Sequence, residues 1–179
     1  MKRKALLWCA ALLPAGLLLA AACKPSLEPN TIECPPFEDF KSVSLLLEQR
    51  CGTLDCHGND GRPLRLYGQY GLRFLTDDDD PDVLFSGNLA APTTPTELER
   101  NYFAVCGLEP EKMVMVQNGE AGPESLTMVR KPRLAEKHKG GRIWDQGKAE
   151  DDCLVNWIVA DYEPGAMDPG DCNDALGVE

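Results

Sequence analysis

Apolar residues recur at helical spacing in several stretches of the chain. Phe37, Phe40, Val43 and Leu47 lie near one turn apart and run to Arg50-Cys51, which predicts an amphipathic helix over 37–50, entered after Pro36. Leu98, Tyr102 and Val105 line one face of a second segment that opens on Thr94-Pro95-Thr96-Glu97. There Thr94 can cap, Pro95 suits the first helical position, Glu97 completes a capping box, and Gly107 is a natural stop. Leu154, Trp157, Ile158 and Asp161 stack in a third helix starting at Asp151 or Asp152, with Trp157 expected inside. Glu111 to Gln117 and Glu124 to Arg130 are shorter helical candidates. The remainder reads as connections. Residues 51–63 (CGTLDCHGNDGRP) make a compact loop of Gly and Asp, Leu64, Leu66 and Tyr67 a short extended piece, and Asp77 to Asp80 a solvated acidic loop. Residues 163–179 read as a tail of turns stapled by Cys172. The fold class is therefore all-α: a small helical domain with long loops and disulfide staples.

The N-terminus changes the compartment. Met1-Lys2-Arg3-Lys4 is a positive n-region, Ala5 to Leu13 is apolar, Pro14 and Gly16 interrupt it, and Leu17 to Ala22 resumes it directly before Cys23. This reads as an export signal and not as a permanent span. Leu19-Ala20-Ala21-Ala22-Cys23 resembles a bacterial lipobox, in which Cys23 is lipidated and becomes the first mature residue. Lys24, in place of Asp, implies by the same resemblance an outer-membrane lipoprotein with its domain on the periplasmic face. The expected organisation is a signal peptide over 1–22, a lipidated Cys and Pro-rich tether over 23–36, a domain over 37–162 and a C-terminal tail over 163–179.

Composition then excludes partners. The net charge is −11 with 29 acidic and 18 basic residues, and removal of Lys2, Arg3 and Lys4 takes it to −11 − 3 = −14. Nucleic-acid binding needs clustered Lys and Arg against phosphates, so no nucleic-acid partner is expected. The membrane partner acts through the anchor at Cys23, since the charge disfavours docking on an anionic lipid surface.

The chemistry sits in Cys51-Gly-Thr-Leu-Asp-Cys56-His57, a C-x4-C-H pattern beside the commoner C-x-x-C-H of c-type haem attachment. Two thiols at that spacing can add to the two haem vinyl groups, and the following His57 can ligate the iron. The alternatives are a small Cys51–Cys56 disulfide loop and a Cys–His zinc site needing ligands from afar. The sixth iron ligand has candidates in His138, ahead of Gly140-Gly141, and in Met113, Met115 and Met128; each Met is also a good core residue. With Cys9 in the signal, Cys23 lipidated and Cys51 and Cys56 on haem, four Cys allow three pairings. The pairing that joins helices and ties both ends is Cys106–Cys153 with Cys34–Cys172. If Cys51 and Cys56 are instead disulfide-bonded, six Cys allow fifteen pairings.

On these residues the chain resembles the cytochrome c-like domains of planctomycete and myxobacterial exported proteins. The likeness is carried by Phe37, Val43, Leu46, Cys51, Cys56-His57-Gly58 and Leu64-Arg65-Leu66. It continues through Ser125 to Pro132, His138-Lys139-Gly140-Gly141, Asp152-Cys153-Leu154 and Trp157-Ile158. The resemblance spans residues ~37–160, a normal domain size. It implies a cytochrome c-like fold with one covalent haem c and its iron, and a role in electron transfer with a redox partner protein. The alternative is a haem-free, disulfide-stapled lipoprotein with a binding or structural role on the same scaffold. No enzyme is expected: the chain has no Ser–His–Asp spacing, no Gly-rich phosphate loop and no H-E-x-x-H.

Overall fold

A buried aromatic cluster organises the helices. In the computed structural model, which describes residues 34–74, 76, 91–160 and 170–177, helix α1 (Phe40–Cys51) carries Phe40 with no solvent exposure. The Phe40 ring lies 4.9 Å from that of Trp157 and 5.5 Å from that of Tyr102. Trp157 belongs to α5 (Ala149–Val159) and Tyr102 to α2 (Pro95–Cys106), so one cluster joins three helices. Offset and tilted ring pairs of this kind add to what their buried area contributes. Both aromatics with polar tips find acceptors in the entering chain: Trp157 Nε1 donates to the Pro36 carbonyl at 3.3 Å, and the Tyr102 hydroxyl to that of Pro35 at 2.9 Å.

The remaining elements are α3 (Pro110–Gln117), a 3-10 turn (Pro123–Ser125), α4 (Thr127–Arg130) and α6 (Gly170–Leu176). α6 packs on α5 and α1, and α3 packs on α5. No strand forms among the described residues; Thr53–Gly71 and Tyr67–Leu72 are isolated bridges in the loop after α1. No helix among them is long and apolar enough to cross a membrane. The all-α class therefore holds.

The helix expected at 94–107 forms with its capping box complete: Thr94 Oγ1 accepts from Glu97 N at 3.2 Å and Glu97 Oε2 from Thr94 N at 2.9 Å. α1 begins three residues later than expected, because Phe37 to Asp39 form a turn closed by Phe40 N on the Phe37 carbonyl. The segment Glu124 to Arg130 divides. Leu126 is extended (φ −81°, ψ 135°), which buries its side chain, and Glu109 accepts from Thr127 N to start α4. The last long helix starts at Ala149, two residues early, and ends at Val159 before Asp161.

Two expectations are corrected. The C-terminal stretch is not all turns, because Gly170–Leu176 is helical. The bridges are Cys34–Cys106 and Cys153–Cys172, not Cys106–Cys153 with Cys34–Cys172. Each cysteine pairs within its own layer: the entering segment on α2, and α6 on α5. The signal region, Cys23 and Asp77 to Asp80 lie outside the described residues.

Candidate functional site

Cys51 is the last residue of α1, and the chain folds back on it at once. Its carbonyl accepts from His57 N at 2.8 Å, while the Thr53 carbonyl accepts from both Cys56 N (2.9 Å) and Gly58 N (3.0 Å). The four-residue spacer is thus a closed turn. Arg62 clamps its outgoing end, with Nε on the Cys56 carbonyl at 3.0 Å and Nη2 on that of Asp55 at 3.2 Å. The fold-back needs glycine at two places. A Cβ on Gly58 would stand 2.0 Å from the Gly52 carbonyl oxygen, and one on Gly71 would stand 1.9 Å from it.

The turn presents His57. Its backbone carbonyl accepts from Leu66 N at 2.9 Å, and its Nδ1 lies 2.9 Å from the Leu64 carbonyl oxygen. A carbonyl can only accept, so Nδ1 carries the proton and Nε2 keeps its lone pair. Burial pushes the His57 pKa below its ordinary 6.5; the Leu64 hydrogen bond opposes this, and His138, Arg62 and Lys131 reinforce it. The imidazole is therefore neutral at pH 7, the form that ligates a metal.

His138 reaches the same place from the other side of the domain. Its loop is fixed to α5 by Arg133, whose Nε and Nη2 grip the two carboxylate oxygens of buried Asp151 at 2.6 and 2.8 Å. Gly147 N adds a third bond to Asp151 at 2.9 Å. Within the loop, Gly141 at φ +74° closes a turn in which its N–H donates to the His138 carbonyl at 3.1 Å. The Gly141 carbonyl in return accepts from His138 Nδ1 at 2.8 Å. His138 thus carries a proton on Nδ1, as His57 does. The two rings lie 6.4 Å apart and within 18° of parallel.

Cys51, Cys56, His57 and His138 all border one cavity of about 360 Å³. A smaller cavity of about 120 Å³, walled by Leu47, Leu64, Leu108 and Met128, also meets Cys51 and both histidines. Cys51 and Cys56 carry no bridge. Burial, and then the neighbouring Cys56, push the Cys51 thiol up to about 12, so it stays protonated. The two thiols thus stand unbridged at the cavity, without the Cys51–Cys56 disulfide that is the alternative read from the sequence. Among the described residues no group of three or more His, Cys, Asp or Glu is placed to hold a bare metal ion, which leaves the zinc alternative without its ligand set.

The other ligand candidates separate. Met128 is buried on the wall of the smaller cavity, Met113 is buried in the core and borders neither cavity, and Met115 is exposed. Two features of the site escaped the sequence reading. One is the Arg62 clamp, which depends on how the turn closes. The other is the cationic rim of the larger cavity, foreshadowed only by Lys137-His138-Lys139. Comparison with known proteins returned no matching family model, curated protein or solved structure.

Proposed function

We propose that this chain is a periplasm-facing lipoprotein, anchored at Cys23 in the outer membrane, that holds one covalent haem c and passes electrons between partner proteins. One observation carries the reading: two unbridged thiols and two histidines, each fixed through Nδ1 to a backbone carbonyl, border a single cavity. The residues fit the group in their chemistry: the turn supplies two thiols, and the two imidazoles that border the same cavity lie with ring centres 6.4 Å apart.

Cys51 and Cys56 would hold the porphyrin as thioethers, each thiol giving its sulfur to one carbon of a vinyl double bond and its hydrogen to the other, so that no oxidant is required. His57, next to Cys56, and His138 would hold its iron through their ring nitrogens. The Leu64 and Gly141 carbonyls fix the two rings through Nδ1, which leaves Nε2 as the nitrogen for the metal. Leu47, Leu64 and Met128 offer an apolar wall in the smaller cavity beside both histidines. When bound, the haem supplies a reversible one-electron iron couple.

The test is a haem stain after denaturing electrophoresis of the protein exported by a host with the cytochrome c maturation system. A stained band at the mature mass is expected, lost in the double variant Cys51→Ala/Cys56→Ala. His138→Ala should keep the stain and lose the low-spin spectrum of two-histidine ligation. An unstained wild-type protein with a Cys51–Cys56 disulfide would overturn the proposal in favour of a haem-free lipoprotein.

A further inference from the structure

The rim of the larger cavity has the opposite sign to the protein. The chain carries 29 acidic and 18 basic residues, yet Arg50, Arg62, Lys131, Lys137 and Lys139 line this cavity against one carboxylate, Asp55. Three of the five cations are engaged. Arg50 pairs with Glu150 at 2.8 Å, Arg62 is spent on the Asp55 and Cys56 carbonyls, and Lys131 lies 3.8 Å from Glu136. Lys137 and Lys139 have no acidic partner among the described residues, and they flank His138 on the same loop. Two exposed lysines on one loop, both lining a cavity in an acidic protein, mark a place for a dianion.

We propose that Lys137 and Lys139 bind the two carboxylates of the porphyrin, orienting it so that its apolar edge enters between His57 and His138. This rests on the haem reading above and adds to it a direction of entry and a charge requirement. In the smaller cavity that also meets both histidines, Leu47 and Met128 are buried and Leu64 is half-buried, whereas Lys137 and Lys139 are exposed. A ligand with one hydrophobic edge and one dicarboxylate edge matches that polarity. Exposed lysines hold a carboxylate with modest strength, so the pair acts mainly on affinity and orientation.

The experiment titrates the full-length mature chain, made without the maturation system, with haemin and with haemin dimethyl ester, following the Soret band. Haemin should bind more tightly as salt is lowered, whereas the diester should bind about tenfold more weakly and without salt dependence. The variant Lys137→Gln/Lys139→Gln should weaken haemin about tenfold and leave the diester unchanged. Both lysines are exposed, and an unchanged circular dichroism spectrum confirms that the variant is folded. Equal affinity for the two porphyrins, or a variant that binds haemin as the wild type does or loses both porphyrins equally, would overturn the carboxylate assignment. The haem stain separates the two proposals. A stained wild-type protein with no diester discrimination leaves the cytochrome reading standing and removes this one. An unstained protein that binds neither porphyrin removes both.

Discussion

The face of the domain behind the site and the face that forms it are held together by different means. Behind, the entering segment, α2, α5 and α6 are joined by two disulfides, and Phe40, Tyr102 and Trp157 fill the space between them. In front, no disulfide enters either wall of the cavity. The Cys51–Gly58 turn is closed by its own backbone, and the His138 loop is fastened by Arg133 on Asp151. Cross-links act by restricting the unfolded chain and need no particular chemistry nearby. Backbone bonds and a fixed ion pair instead set the direction of a side chain. Among the described residues, the two unbridged thiols lie where the second method is used.

The largest effect should come from the bridges. In the chain-entropy account, a loop closed across 72 residues contributes about 4.4 kcal/mol and one across 19 residues about 3.2 kcal/mol. Replacing Cys34 and Cys106 by Ala should therefore cost more in urea unfolding than replacing Cys153 and Cys172. Haem staining should survive both pairs of changes wherever the protein still folds. Loss of stain in a bridge variant that retains its helical spectrum would erase the distinction between the two faces.

Asp151→Ala tests the other face. It strands a nearly buried Arg133 and should cost about 3 kcal/mol, the low end for breaking a buried pair because the arginine reaches the edge of the surface. The loss should be local. Hydrogen exchange at residues 137–141 should accelerate well before that in α2, and uniform acceleration would show that the pair serves global stability instead. Thr94→Ala is the smaller counterpart on α2, where removing one half of the capping box should cost about 1 kcal/mol in urea unfolding and leave the His138 loop unchanged.

How much of this was readable in the sequence follows the range of each signal. The capping box spans four consecutive residues and forms as expected. Trp157 is buried as its helical spacing implies. C-x4-C-H is local as well, and His138, one of two histidines, was a candidate before its loop was seen to fold against His57. The break at Leu126 was not legible because Glu109, far back in the chain, caps Thr127. Nor was α6. Gly-Asp-Cys-Asn-Asp-Ala-Leu is a poor helix sequence, and its helix depends on α5 and on the bridge from Cys172 to Cys153. The cysteine pairing failed for the same reason, since proximity in the fold is set by packing that spacing does not encode.

The buried polar cluster beneath the turn gives the finest probe of how the two faces meet. Glu48 lies one turn before Cys51, almost fully buried, and accepts from Ser44 Oγ at 2.8 Å, from Asn101 Nδ2 at 3.4 Å and from Thr93 Oγ1. Asn101 extends the network to the loop by accepting from Tyr67 N and donating to the Tyr67 carbonyl, both at 2.7 Å. Burial raises the Glu48 pKa above its ordinary 4.5, and the hydrogen bonds from Thr93 and Ser44 only partly offset this. The folded protein thus holds this proton more tightly than the unfolded chain does. Stability from this group is greatest below about 4.5 and falls as pH rises through the folded pKa. Glu48→Gln keeps the shape and removes the titration, so its urea midpoint should lose that part of the pH slope and gain relative to wild type above the window. A parallel slope in wild type and variant would mean that Glu48 is ionised at no net cost, with Ser44, Asn101 and Thr93 as full compensation.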